Sequence, residues 1–332
     1  MKVDLFLVGE AVHDTPTRAP STLVDYGILA EQCGFHGVWI AEHHFIRYGA
    51  CPSTPLLASH LLARTATLRV GTAACVLSQR HPVALAEEAV MLDGLSGGRF
   101  MLGLARGGRW VDLEVFGTGP ARYETGFTES LDLLRDWVSG GPAVAGTGRF
   151  HRFRPVPVLA APTSGFGVWI AATSPATVSV AAARGLPLLL GVHTTDEDKI
   201  ALLDRYRRDA RAAGHDPSMA EHAAVYLAYA ADTAAIGRRE LRESMTRWLS
   251  VGVGDYRRLD GGRGNPDQAS YVDRLISTQL VGPGDDSARR LIESAERTGI
   301  SRALLMVEGA EGPRRVRDNI TRLGAELLAS VN

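Results

Sequence analysis

The sequence predicts an α/β fold in which eight parallel strands close into a (β/α)8 TIM barrel with insertions. Buried apolar runs alternate with helical segments eight times along the chain, and no change in composition divides it into two halves. A length of 332 residues is also typical of one such barrel. We therefore expect residues 1–332 to form a single domain.

Eight short apolar runs predict the strands of this barrel. A parallel strand that is covered on both faces reads as a nearly continuous apolar run, unlike the alternating pattern of a half-exposed strand. The predicted strands lie in residues 3–8, 37–45, 68–76, 99–104, 168–172, 186–192, 222–231 and 301–307.

Helical spacing of apolar residues predicts the helices between these strands. Ser21 is the expected N-cap of the first helix and Gly34 its end, because a serine hydroxyl accepts a free N–H and glycine tolerates left-handed backbone. The other predicted helices cover residues 55–66, 83–95, 123–138, 178–184, 196–213, 233–249 and 312–328.

Two segments interrupt the alternation. Residues 141–159 are rich in glycine, proline and β-favouring residues, which predicts a hairpin-like excursion outside the barrel. Residues 250–269 are rich in glycine and lack apolar periodicity, which predicts a long mobile loop before the eighth strand. A lid over a bound ligand and a tolerated surface insertion both fit this loop, and we expect the lid.

Charge and cysteine content limit the class of protein. The net charge is -1, so no basic excess indicates nucleic acid or an anionic membrane as the main partner, and a small molecule is expected instead. The cysteines Cys33, Cys51 and Cys75 fit neither a disulfide framework nor a zinc site, and no metal is expected. Because the chain shows no signal peptide and no long apolar run, we expect a cytoplasmic protein.

The second predicted strand ends abruptly in Glu42, His43 and His44. Ligands of parallel α/β folds bind where strands end. The carboxylate and the two imidazoles therefore lie where active-site groups of such folds are usually found. A buried Glu–His pair that merely holds a loop is the alternative. Three such groups closing one buried strand favour a functional role.

Two further strand ends carry groups that suit an anion. Arg106 and Gly107 follow the fourth strand, and Ser174, Pro175 and Thr177 begin the helix after the fifth. An arginine beside glycine can reach an anion, and free N–H groups with hydroxyls at a helix start bind phosphate well. A solvated arginine in a plain turn and simple helix capping remain the alternatives.

Several motifs along the chain together resemble the bacterial luciferase-like flavin-dependent monooxygenases, and most closely the luciferase α subunit. The resemblance extends over nearly the whole chain and is weakest across residues 250–267. It is carried by Ala41-Glu42-His43-His44-Phe45, Val70-Gly71-Thr72-Ala73-Ala74, His81-Pro82-Val83, Gly98-Arg99-Phe100, Ala105-Arg106-Gly107, Val115-Phe116-Gly117-Thr118 and Arg184-Gly185-Leu186-Pro187.

The resemblance implies a TIM barrel that receives reduced FMN (FMNH2) from a separate flavin reductase. The flavin adds O2 at its C4a atom, and the resulting (hydro)peroxide oxygenates an organic substrate, which we expect to belong to secondary metabolism. His43 matches the catalytic histidine, with Glu42 and His44 orienting it. The positions implied in flavin binding are Ala73, Ala74, Arg106, Arg122, Thr173, Ser174 and Thr177.

The implied roles of these flavin-binding positions differ. Arg106, Ser174 and Thr177 match phosphate contacts, with Arg122 as a second phosphate-binding arginine, and a non-proline cis peptide is implied at Ala73–Ala74 beneath the flavin ring.

The chain also departs from the luciferase α subunit. Ala105 stands where that subunit has a reactive cysteine, so light emission is not implied. Gly108 and Arg109 replace a bulkier pair that packs on the flavin, and Thr173 stands where an acidic residue is common. These changes indicate a pocket reshaped for another substrate.

Two alternatives to an FMN-dependent oxygenase remain open. The deazaflavin F420 is used by oxidoreductases on the same fold, and a flavin-binding subunit without catalysis is the alternative of another class. The helix at residues 83–95 corresponds to a dimer-interface helix of the family, with Glu87, Glu88, Ala84, Leu85, Ala89 and Leu92 as its residues. We therefore expect a homodimer.

Overall fold

The computed structural model describes residues 1–107, 110–163, 165–252 and 267–331. The strands within these residues are β1 (Lys2–Leu7), β2 (Gly37–Ile40), β3 (Arg69–Thr72), β4 (Cys75–Val76), β5 (Phe100–Ala105), β6 (Ala143–Thr147), β7 (Arg152–Pro157), β8 (Val168–Ala171), β9 (Leu188–Leu190), β10 (Ala223–Ala230), β11 (Leu280–Gly282) and β12 (Arg302–Met306). The helices are α1 (Ala19–Gln32), α2 (Thr54–Arg64), α3 (Pro82–Ser96), α4 (Trp110–Val115), α5 (Gly119–Glu124), α6 (Gly126–Val138), α7 (Pro175–Ala182), α8 (Asp196–Ala212), α9 (Ala234–Gly252), α10 (Gln268–Thr278), α11 (Gly284–Thr298) and α12 (Gly312–Val331).

Eight parallel strands close into a barrel, which confirms the predicted TIM barrel. The strand order is β10-β12-β1-β2-β3-β5-β8-β9, and pairing of β9 with β10 closes the ring. All eight predicted strands are present, although the run at residues 68–76 is interrupted. It forms β3 and the short β4, with Ala73 and Ala74 between them.

An additional strand, β11, lies beside the barrel and had no counterpart among the predicted strands. The first residues of β10 pair with β9, whereas its last three pair in parallel with β11. The buried side chain of Gln279 accepts from Leu227 N–H at 3.2 Å and donates to the Val192 carbonyl at 3.3 Å. A side-chain amide thus replaces the backbone ladder where β9 and β10 separate.

Several helix predictions need correction. Helix α1 begins at Ala19, and Ser21 is not its N-cap; the hydroxyl of Ser21 donates to the Arg18 carbonyl at 2.8 Å. Proline in the first turn explains the early start, because its fixed φ suits that position. The helix predicted at residues 123–138 is two helices, α5 and α6, and α4 precedes them without having been predicted.

The two interrupting segments differ in outcome. Strands β6 and β7 form a two-stranded antiparallel sheet, which confirms the predicted hairpin. Helix α9 continues to Gly252, so residues 250–252 are helical rather than looped, and Asp267 caps α10 through the N–H of Ser270. Residues 253–266 lie outside the described residues, and so does the lid hypothesis that concerned them.

The lower, amino-terminal half of the barrel is filled by a buried polar cluster. Asp4 accepts hydrogen bonds from Trp39 Nε1 at 2.7 Å and from the Arg302 guanidinium at 2.6 Å, and lies 2.9 Å from His36 Nδ1. The Trp39 ring packs edge-on against Trp169 at 5.2 Å. This end of a TIM barrel usually serves stability, so chemistry is expected at the other end.

Within the described residues, no helix combines the length and the apolar character needed to cross a bilayer. The three cysteines carry free thiols, and Cys51 and Cys75 are buried.

Candidate active site

The structure places the predicted site residues after four neighbouring strands at the carboxyl end of the barrel. In the ring, β2 pairs with β3, β3 with β5 and β5 with β8. The Glu42-His43-His44 segment follows β2, the Ala73–Ala74 bond follows β3, Arg106 follows β5, and Thr173 to Thr177 follow β8. Sequence and topology therefore bring these groups to one arc of the rim.

Glu42 is buried and surrounded by donors. Its carboxylate accepts from Val76 N–H at 3.1 Å, from the Thr54 hydroxyl at 3.3 Å and from the Arg80 guanidinium at 2.9 Å, and His44 Nε2 lies 3.6 Å away. Burial by itself raises the pKa of Glu42. Contacts with His44, Arg80 and Val76 outweigh burial and hold the pKa below its ordinary value, so Glu42 is a carboxylate.

Arg80 had no signal in the sequence, because it is 38 positions from Glu42. It lies at the end of a single 3-10 turn after β4, where the chain turns back toward α3. Its side chain is 23% exposed and forms an ion pair with the fully buried Glu42 side chain. Within the described residues, Arg80 provides the guanidinium that contacts the Glu42 carboxylate.

His43 and His44 point to different partners. The His43 ring packs edge-on against Tyr48 at 5.1 Å, and Tyr48 stacks on Trp248 of α9 at 4.9 Å. The Trp248 indole also donates to the Tyr48 carbonyl at 3.0 Å. The His44 ring packs edge-on against Phe116 at 4.9 Å while its Nε2 faces Glu42. The end of α9 thus fixes the loop that carries His43.

A cavity of about 660 Å³ opens beside these histidines. Its lining includes His43, His44, Phe45, Arg47 and, from the end of α9, Gly252. This volume lies within the usual range for small-molecule sites. The cavity therefore gives both histidines access to a ligand.

A second buried carboxylate without a sequence signal, Glu308, follows β12. It accepts hydrogen bonds from the backbone N–H groups of Val8, Gly9 and Glu10 at the end of β1. The Gly9 carbonyl in turn accepts from the Ala50 N–H at 2.7 Å. Burial raises the pKa of Glu308 to about 7, despite the opposing effect of the backbone donors.

The non-proline cis peptide implied by the resemblance is present at Ala73–Ala74. Ala74 is buried, and its neighbour Cys75 pairs with Leu104 of β5. The bond therefore lies between the Glu42 side of the rim and the Arg106 side. Gly108 and Arg109, named above for their departure from the family, lie outside the described residues.

The remaining predicted residues form an end of the site that suits a phosphate. Ser174 caps α7, with its hydroxyl accepting from Thr177 N–H at 3.4 Å and lying 3.1 Å from the Thr177 hydroxyl. Thr173 is exposed just before this cap. The guanidinium of Arg106 packs over Tyr123 at 4.3 Å and donates to its hydroxyl at 3.0 Å.

Arg122 lies beside this end, in the turn of α5 next to Tyr123. Its guanidinium donates to the Arg80 carbonyl at 3.0 Å, and its Nε is buried without a hydrogen-bond partner among the described residues. Burial lowers the pKa of Arg122, and the charge of Glu129 opposes the shift. A buried guanidinium nitrogen without a partner among the described residues could donate to an anionic group such as a flavin phosphate.

A model of the luciferase-like monooxygenase family matches residues 1–306. The chain belongs to this family. Among curated relatives it is 35% identical to an alkanal monooxygenase alpha chain of Photorhabdus luminescens over 213 residues, which are 64% of this chain and 59% of that one. It is 26% identical to the beta chain of Photobacterium leiognathi over 97% of this chain and 94% of that one.

Solved structures share the fold of this family member. Monooxygenase RslO1 from Streptomyces bottropensis superposes with a TM-score of 0.83 at 23% identity, covering 99% of both chains. An FMN complex of the oxygenating constituent of 3,6-diketocamphane monooxygenase from Pseudomonas putida gives 0.77 at 17% identity, over 100% of this chain and 99% of that one. An F420-dependent secondary alcohol dehydrogenase gives 0.79 at 17% identity with the same coverage.

Proposed function

We propose that the protein is a flavin-dependent monooxygenase that uses reduced FMN and O2 to oxygenate a small organic molecule. The observation that carries this proposal is the arc of the barrel rim that joins two chemically different ends. One end has His43 and His44 in the wall of a cavity, and the other has Ser174 at a helix start and Arg106 after the neighbouring strand. This layout suits a cofactor with a reactive ring and a phosphate tail.

The chain's own residues would hold and orient the flavin. Ser174 and Thr177 offer hydroxyls and N–H groups to the phosphate, and Arg106 and Arg122 offer guanidinium groups. The backbone at Ala73–Ala74 lies between the two ends and would support the ring. When bound, reduced FMN supplies the electrons that activate O2.

His43 would hold or move a proton at the reacting centre, because it lies in the cavity wall. Glu42 is buried behind His44 and would orient it rather than contact the substrate. Phe45 is 57% exposed at the cavity and its ring lies 5.8 Å from that of Phe116. These rings give the substrate an apolar surface and help to exclude water.

We further propose that a separate flavin reductase supplies FMNH2, that the substrate belongs to secondary metabolism and that the protein acts in the cytoplasm. The family resemblance supports the first two statements. The free thiols of Cys33, Cys51 and Cys75 support the third, because such thiols persist in reducing compartments.

A homodimer through α3 is also proposed. Leu85, Ala89 and Leu92 are buried within the chain and do not form the outer face. That face presents Ala84, Glu87 and Glu88 together with Met91 and Leu95, which are 61% and 75% exposed. Exposed apolar side chains of this size on one helix favour a partner surface, and sedimentation at working concentration would test it.

F420-dependent hydride transfer is the alternative activity, and the likeness to an F420-dependent dehydrogenase concerns the fold. A flavin-binding subunit without catalysis is the alternative of another class. We retain this alternative because the chain also matches a beta chain of alkanal monooxygenase. The Glu42–His44 contact and the access of His43 to the cavity support a catalytic chain instead.

Stopped-flow mixing of the protein and photoreduced FMN with oxygenated buffer tests the proposal. We expect bound flavin to return to oxidised FMN more slowly than free flavin, because the protein shields it from water. Oxidation at the rate of free FMN, together with tight F420 binding in a parallel titration, would favour hydride transfer.

Once a screen of aldehydes and cyclic ketones identifies a substrate, His43→Ala should abolish product formation and keep FMN affinity. His215→Ala is the matched control, since His215 is half-buried like His43 but lies outside the site, in the segment after α8. Product formed by His43→Ala at the parent rate would contradict the role given to His43.

A further inference from the structure

Arg80 contacts two parts of the candidate site at once. Its guanidinium donates to Glu42 Oε2 at 2.9 Å, and its backbone carbonyl accepts from the guanidinium of Arg122 at 3.0 Å. The carboxylate of Glu88 on α3 lies 3.9 Å from the other guanidinium nitrogen and is about half exposed. One residue therefore joins the histidine end of the rim to the phosphate end.

The turn that carries Arg80 is itself anchored to both ends. The Val76 N–H donates to Glu42 Oε1 at 3.1 Å, and the Ser78 hydroxyl donates to the Arg106 carbonyl at 2.5 Å. Ser78 is fully buried, so this bond is not exchanged with water. A movement of this turn would therefore disturb the positions of both Glu42 and Arg106.

The groups that face Glu42 show why a cation is needed there. His44 and Thr54 contact its carboxylate, while the buried thiols of Cys51 and Cys75 lie close enough to feel its charge. Burial raises the pKa of both thiols to about 12, and the charge of Glu42 adds to this, so they stay protonated. A fully buried carboxylate is costly unless a cation is paired with it.

We propose that Arg80 is a positioning residue of the active site, which keeps Glu42 ionised beside His44 and fixes the turn against which Arg122 is held. The second half rests on the proposed function, because it concerns a flavin phosphate. Without the guanidinium, the pKa of Glu42 rises. The protonated carboxyl group then no longer orients His44 through a negative charge. The turn loses its ion pair, and Arg122 loses a fixed acceptor.

The charge state of Glu42 can be measured without any flavin. NMR of protein labelled with 13C at the glutamate carboxyl carbon, assigned with Glu42→Gln, follows the titration directly. Arg80→Met removes the charge and keeps an unbranched apolar stem, Arg80→Gln is a second neutral variant, and Arg80→Lys keeps the charge. Arg289→Met is the matched control, since Arg289 forms an exposed ion pair on α11.

We expect the Glu42 midpoint to rise by about one to three pH units in Arg80→Met and Arg80→Gln, as for loss of an opposite charge at this distance. Arg80→Lys should restore most of the wild-type value, and Arg289→Met should leave it unchanged. A purely structural role of Arg80 would lower stability without this pattern of charge rescue. An unchanged midpoint in both neutral variants would overturn the proposal.

Fluorescence titration with FMN tests the phosphate half. Arg80→Met and Arg80→Gln should weaken FMN binding several-fold, whereas riboflavin, which lacks the phosphate, should bind equally to both variants and to wild type. Unchanged FMN affinity would refute the link to Arg122 and leave the Glu42 result to stand alone. If wild-type protein binds no FMN, the proposed function fails, and the NMR titration still decides the role of Arg80.

Discussion

The replacement Glu308→Gln should remove a pH dependence of stability that the wild-type protein shows. The pKa of Glu308 is raised from 4.5 to about 7 by burial. Between these values the folded chain keeps the proton and the unfolded chain has released it, so unfolding releases a proton. Raising the pH therefore favours unfolding, and wild type loses stability relative to Glu308→Gln as the pH rises.

The size of this effect follows from the shift. Each pKa unit between the folded and unfolded states changes the free energy of unfolding by about 1.4 kcal/mol. Wild type should therefore lose about 3 kcal/mol of stability relative to Glu308→Gln between pH 4.5 and pH 7. Above pH 7 the difference should level off, because Glu308 is then ionised in both states.

Urea unfolding followed by tryptophan fluorescence, at steps from acid to neutral pH, measures this difference directly. Comparing the two proteins also cancels the contribution of His151 and His222 to the pH dependence of stability. Both histidines are buried, and burial is the main cause that lowers their pKa values to about 4. Glu311→Gln is the control, since Glu311 is exposed nearby and should give a flat difference. The reasoning would be refuted if the stability difference between wild type and Glu308→Gln did not change with pH. It would also be refuted if wild type gained stability relative to the variant as the pH rose.

Four further replacements have defined outcomes. Gly103→Ala should prevent stable folding, seen as loss of the cooperative thermal transition, because a Cβ there would lie 2.0 Å from the Thr72 carbonyl oxygen; a normal transition would contradict the packing of β3 on β5. Trp248→Phe keeps an aromatic ring but loses the indole N–H donated to the His43 loop and leaves a cavity, because Trp248 is fully buried; it should cost more than about 1 kcal/mol in urea unfolding. Ser174→Ala and Thr195→Ala each remove a helix cap and should each cost about 1 kcal/mol. Weaker FMN binding is expected in Ser174→Ala alone, and equal weakening in both would argue against phosphate at α7.

Local patterns predicted most of the barrel. The apolar runs are decisive because every barrel strand is buried, and the Ser174-Pro175 start of α7 follows from capping chemistry. Residues 270–300 were not assigned by the sequence, although they hold most of α10 and all of β11 and α11. The three-residue β11 is too short for a periodic signal, and it is defined by pairing with β10.

The site was predictable where one segment carries it and not where distant segments meet. Glu42, His43 and His44 are consecutive, so their common position at a strand end could be seen in the sequence. Arg80 and Glu308 contact groups 38 and about 300 positions away. Such contacts depend on strand order and register, which periodicity does not specify.

The insertion of β11 gives the barrel unequal ends. At the level where β9 pairs with β10, eight strands form the ring, but at the last residues of β10 the side chain of Gln279 and then β11 lie in the gap. The carboxyl end of the barrel is therefore joined between β9 and β10 by one side-chain amide, whereas Asp4 and Arg302 tie the strands together at the other end.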